Sequence, residues 1–140
     1  MILFVCSQGK IRSRTAEVIA VMGGVHARSC GTDKDALAPI TNALLRAADT
    51  IICMEQSHVK EVKEYMGAEG KNIVSLGIED VWNPFDPMLI ERLILFVRHR
   101  LGDDVLSSRM QLGHQRMLAA GIDFFDGGVI SGASELALFH

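Results

Sequence analysis

Cysteine is scarce in this chain of 140 residues: there are three, an odd number and too few for the disulfide framework of a small secreted protein. Proline is equally sparse at three residues, and no proline-rich, repetitive or low-complexity segment is present. No apolar run approaches the roughly 18 residues of a membrane span. A large charge of one sign is also missing, because 14 basic against 17 acidic side chains leave a net charge of −3. That balance offers no general attraction to nucleic acid or an anionic membrane, so any bound anion must be captured locally. The opening Met1-Ile2-Leu3-Phe4-Val5 is apolar but lacks the basic segment and the length of a secretory signal. These absences together lead us to expect a reduced, cytoplasmic setting with neither nucleic acid nor membrane as partner.

What is present is a globular composition, 49% hydrophobic and 22% charged, in a length suited to one domain with a core of its own. Ile2 to Val5 is a short apolar run rich in β-formers, followed by a polar loop and a helical pattern over 13–22 that Gly23-Gly24 stop. The same logic predicts strands over 25–30, 50–54 and 72–76, and helices over 39–48, 57–66 (with Ser57 as its cap), 88–101 and 105–120. The segment 76–87, with Gly77, Pro84 and Pro87, reads as a loop. Strands that alternate with helices and look buried on both faces predict a doubly wound α/β domain with a parallel sheet. The stretch 121–140 has no legible pattern.

The chemistry concentrates in Cys6-Ser7-Gln8-Gly9-Lys10-Ile11-Arg12-Ser13. A cysteine and an arginine at this spacing arise readily by accident, and Cys6 alone reads equally as a small buried residue ending a strand. Position strengthens the functional reading. The carboxyl end of a parallel strand faces the ligand crevice of an open α/β sheet, and the following helix turns its free N–H groups toward that crevice. Residues 7–13 would then cradle a tetrahedral oxyanion, with the Arg12 fork on two of its oxygens and the Cys6 sulfur facing the central atom. Gly9 permits a left-handed turn, Ser13 can donate its hydroxyl to the sulfur, and donors around the sulfur favour a thiolate nucleophile.

The run from Ile2 to Ala20 resembles the opening of the low-molecular-weight protein tyrosine phosphatases, and most of all their compact bacterial branch. The likeness continues through Ser29-Cys30-Gly31-Thr32, Ile51-Ile52-Cys53-Met54-Glu55 and Asp86-Pro87-Met88-Leu89-Ile90, and ends near Gly102. It implies a three-layer α/β/α fold with a four-stranded parallel sheet, a phosphatase-like domain over 1–104, and an extension over 105–140. There are departures. The family has asparagine where this chain has Gly9, and a serine matching Ser29 braces that asparagine. Ile11 stands where many members carry a second loop cysteine, which excludes a disulfide inside the loop.

Transfer of a phosphoryl group to sulfur requires a proton for the departing oxygen. Among Glu79, Asp80 and Asp86, the family's aspartate, proline, aromatic pattern is matched best by Asp80-Val81-Trp82. Asp86 is the alternative acid, although before Pro87 it also reads as a helix N-cap, and Glu79 is the third candidate. Trp82 and Phe85 are expected to form an aromatic rim for a phenyl phosphate, although a tryptophan closing the edge of the core fits as well. Cys30 and Cys53 read as small buried residues at the sheet edge, and the five histidines show no metal-ligand spacing, so neither a metal nor another cofactor is expected.

The resulting expectation is a phosphomonoester hydrolase of phosphotyrosine type acting through a phosphocysteine, with a phosphorylated protein or a small aryl phosphate as substrate. Alternatives are an arsenate reductase-like thiol enzyme, a sugar-phosphotransfer carrier domain, against which Arg12 speaks, and an anion-binding or interaction module with little catalysis. The apolar residues of 105–140, among them Leu106, Met110, Leu112, Met117, Leu118, Phe124 and Phe125, are too many to leave in water. They are expected to pack on the domain or to cross to a second copy in a homodimer.

Overall fold

A computed structural model of the protein describes residues 1–121. Four short strands, β1 (Ile2–Cys6), β2 (Ala27–Gly31), β3 (Thr50–Cys53) and β4 (Asn72–Ser75), form one parallel sheet in the order β2-β1-β3-β4. The helices are α1 (Arg12–Met22), α2 (Asn42–Ala47), α3 (Gln56–Lys63), α4 (Pro87–His99) and α5 (Asp104–Ala119). The alternation of side chains along each strand divides the core in two. Leu3, Val5, Cys30, Ile51 and Cys53 pack with Leu45, Val59 and Val62 under α2 and α3. Phe4, Cys6 and Ile52 pack with Ala16, Ile19, Leu89, Leu93 and Met110 under α1, α4 and α5.

The chain moves from β1 outward to β2, returns to β3 on the other side of β1, and continues outward to β4. The strand order therefore reverses between β1 and β3, and the crevice beyond their carboxyl ends is where an open α/β sheet takes its ligand. Cys6 ends β1 at that point. The loop following β3 flanks it from the other side.

Helix starts follow local chemistry, with one correction. Thr41 Oγ1 accepts from Leu44 N at 3.1 Å, and Asp86 Oδ1 accepts from Met88 N at 2.9 Å ahead of Pro87 in the first turn. For α3 the cap is Glu55 rather than the expected Ser57, which already lies within the first turn.

Gly113, a residue type that weakens an isolated helix, is buried where α5 crosses α1. A Cβ at Gly113 would stand 1.8 Å from Ile19 O, and one at Gly23 would stand 1.9 Å from Arg109 O. The two backbones thus meet directly, and Arg116 Nη1 donates to Met22 O at 2.8 Å beside the crossing. Leu106, Met110 and Met117 bury their side chains there, whereas Leu118, one position out of phase, faces solvent. The expected apolar residues beyond 121 lie outside the described residues. Among the described residues no helix is long and apolar enough to cross a membrane.

Candidate active site

Cys6 is buried, with its Sγ 2.9 Å from Ser13 Oγ and accepting the Gly9 N–H at 3.2 Å. Gly9 adopts φ +68°, and a Cβ there would meet the Cys30 carbonyl carbon and Gly31 N at 3.1 Å. The turn therefore requires glycine or a strained substitute. Three carbonyls of the loop are tied to the neighbouring 32–37 segment. Thr32 N donates to Cys6 O and Asp33 N to Ser7 O, both at 2.9 Å, and Leu37 N donates to Gln8 O at 3.2 Å. These backbone bonds brace the loop where the family resemblance implied an asparagine held by the serine at Ser29. Ser29 Oγ instead donates to the buried Glu17 Oε1 at 2.6 Å, which also accepts from Arg14 Nη1 at 3.2 Å.

Arg12 is 2% exposed and anchored at one corner, since Nη1 donates to Glu55 Oε2 at 2.6 Å and to Ile78 O at 2.8 Å. Its Nε lies 3.7 Å from Asp80 Oδ1. The anchored corner fixes the plane of the guanidinium and leaves the Nε–Nη2 edge to meet two oxygens of an anion.

Sequence reasoning missed Glu55 and His58. His58 Nδ1 accepts the Glu55 N–H at 3.0 Å, so the proton of the neutral ring resides on Nε2, which donates to Ser7 Oγ at 2.9 Å. Burial first, and then the nearby Arg12 guanidinium, push His58 below its ordinary value and keep it uncharged. The available signal was topological: both residues directly follow β3, which borders the reversal of strand order.

Cys6, Gln8, Lys10, Ile11, Arg12 and Asp80 line a cavity of about 90 Å³. Ser7, Gly9 and Ser13 stand behind its wall in the bonds given above. Gln8 Nε2 is held by Asp33 Oδ2 at 2.5 Å. Of the three acid candidates, Asp80 lies beside Arg12, Asp86 caps α4, and Glu79 lines a different cavity together with Trp82. The aromatic rim is therefore corrected on both counts. Trp82 does not line the Cys6 cavity, and Phe85 is buried in the core at φ +58°. The Phe85 N–H donates to Thr15 Oγ1 at 3.3 Å, and that hydroxyl donates to Ile11 O at 2.6 Å. Phe85 thus pins the loop to the start of α1 and leaves no ring at the cavity mouth.

Cys30 and Cys53 are buried free thiols whose side chains lie on the opposite face of the sheet from Cys6. Burial pushes each up to about 12, aided at Cys30 by the neighbouring Cys53 and Cys6. Neither supplies a thiolate near neutrality, which removes the feature a resolving thiol would need. Among the described residues no group of three or more His, Cys, Asp or Glu side chains is placed to hold a metal ion.

No family model matches the sequence, and no curated protein matches it. Solved structures do share the fold. The arginine phosphatase YwlE, in a variant with a phosphorylated active-site serine, is 20% identical with TM-score 0.54, over 76% of this chain and 98% of that one. A low-molecular-weight protein tyrosine phosphatase from T. tengcongensis is 18% identical with TM-score 0.53, over 82% of this chain and 97% of its own. A protein tyrosine phosphatase from Entamoeba histolytica is 17% identical with TM-score 0.50, over 85% and 95%. The arrangement of strands and helices in this chain is accordingly that of the low-molecular-weight protein tyrosine phosphatases.

Proposed function

We propose that the protein is a cysteine-dependent phosphatase that hydrolyses phosphomonoesters through a phosphocysteine. The observation that carries the reading is the Cys6 sulfur facing the 90 Å³ cavity with Ser13 Oγ and Gly9 N as neighbours and the open edge of Arg12 beside it. The Cys6 thiolate attacks phosphorus while the P–O ester bond breaks and Asp80 gives its proton to the departing oxygen. Asp80, now a carboxylate, takes a proton from water, which attacks the phosphocysteine and returns the sulfur as thiolate. Charge on the equatorial oxygens is met by Arg12 Nε and Nη2 together with the loop N–H groups.

The residues at the cavity mouth bear on the substrate. YwlE is an arginine phosphatase, but Lys10 in the lining opposes a cationic guanidinium as leaving group. An oxygen ester, whether on a phosphorylated protein or a small aryl phosphate, fits this charge better. A cytoplasmic setting suits three unpaired cysteines, and a homodimer through 105–140 is supported by the exposure of Val105 and Leu118 on α5.

The test is turnover of an aryl phosphate by the purified chain and by Cys6→Ser. The variant is expected to lose turnover and still bind inorganic phosphate, because the amide cradle does not depend on the thiolate. Turnover that survives in Cys6→Ser would overturn the mechanism.

A further inference from the structure

The segment carrying Asp80 divides two cavities. Asp80 lines the one at Cys6, while Glu79 and Val81 line a larger one of about 320 Å³ together with Trp82, Arg92, Phe96 and Arg100. The second cavity is built from alternating guanidinium groups and rings. The Arg92 guanidinium carbon lies 5.3 Å from the Trp82 ring centre and 5.8 Å from that of Phe96, and the Arg100 carbon lies 3.6 Å from the Phe96 centre. Arg100 is fixed by donating from Nη1 to Leu76 O at 2.8 Å and Gly77 O at 3.3 Å. Gly77 makes room for it, because a Cβ there would stand 2.4 Å from that nitrogen.

The positive charge in this cavity has no full counterweight. Among the described residues neither Arg92 nor Arg100 is ion-paired. Both arginines are exposed and so open to a ligand, and a fixed guanidinium fork matches a carboxylate in shape and charge. Glu79 is the single carboxylate in the lining. It opposes an anion there, though two cationic groups outnumber it.

We propose that this cavity binds a small aromatic carboxylate, with its oxygens toward Arg92 and Arg100 and its flat body against Val81 and Trp82. The site is independent of the phosphatase reading, since it uses none of the residues that surround Cys6. It shares a wall with them, because Ile78 both lines this cavity and accepts from Arg12 through its carbonyl.

Trp82 is the sole tryptophan of the chain, so its emission reports on the cavity directly. Benzoate titrated into the full chain is expected to change that emission saturably, and to do so equally with saturating inorganic phosphate present. Calorimetry is run alongside, since Arg92→Ala alters the surroundings of the ring. Arg92→Ala should weaken binding about tenfold, the loss expected for a charged hydrogen bond, and Glu79→Gln should tighten it. Neutral benzamide should give no saturable signal. The proposal is overturned by the absence of saturable benzoate binding, by its displacement by phosphate, by equal binding of benzamide, or by an unchanged affinity in Arg92→Ala.

Discussion

The two loops that meet at Arg12 are built in opposite ways. The 6–12 loop has its carbonyls tied back to 32–37 by three backbone hydrogen bonds, and its side chains are held by His58 and Ser13. The 76–86 loop is fastened at its ends. Ile78 N bonds to Met54 O at 2.8 Å, Ile78 O takes Arg12, and Phe85 N reaches Thr15, while Asp80 and Val81 between them lie exposed. A cradle for a tetrahedral anion must be fixed before the ligand arrives. A proton donor must meet leaving groups of different size, and an arm tethered at both ends allows this. On the proposed reading, oxyanion binding falls to the first loop and proton delivery to the second, which can be tested loop by loop.

The largest effect is expected where the loops join. Arg12→Lys replaces a planar fork by a point charge and removes the shared anchor at Glu55 and Ile78, so kcat/KM for an aryl phosphate should fall about 10³-fold. A loss of tenfold or less would place Arg12 outside the reacting centre. Next is Asp80→Asn, expected to lower kcat about a hundredfold for esters with poor leaving groups and far less for activated aryl phosphates. Asp86→Ala should leave that dependence untouched and cost about 1 kcal/mol of stability as a lost helix cap, read by urea denaturation. If the leaving-group dependence followed Asp86 instead, the acid would be reassigned.

A smaller effect probes how rigid the 6–12 loop is. Gly9→Ala, forced to φ +68° with its Cβ 3.1 Å from the β2 backbone, should destabilise the fold by about 1–2 kcal/mol and weaken phosphate binding with it. A variant as stable as the parent would show that the loop can give way. The smallest effect concerns pH. The folded chain holds His58 below its ordinary 6.5, so the unfolded chain takes up the proton first as pH falls. The contribution is complete above about 6.5 and is lost as pH drops toward the folded value. Denaturant midpoints between pH 7.5 and 5 should fall less steeply in His58→Gln than in the parent.

Legibility followed distance along the chain. The 6–13 cradle, the four strands and the helix faces rest on neighbours in sequence, and the observed elements differ from the expected ones mainly at their ends. The site partners that escaped notice are remote: Glu55 lies 43 residues from Arg12, and His58 lies 51 from Ser7. Phe85 was misread because its proximity to Trp82 in sequence suggested a shared aromatic wall. The left-handed backbone at Phe85 sends its ring into the core while Trp82 turns to another cavity. Ser29 kept its position, but its partner changed to Glu17, a charged residue in a helix that periodicity marks only as polar.

The meeting of Gly23 with Arg109 and of Gly113 with Ile19 also sets an order of events. Helix α1, whose first residue is Arg12, gains its tightest neighbour only once the chain extends past residue 113. During synthesis the amino-terminal strand and its loop must wait for nearly the whole chain before that helix is clamped, and contacts this distant in sequence are slow to form. A nascent chain stopped short of α5 would carry the cysteine and the arginine ahead of a helix whose far end is still unclamped.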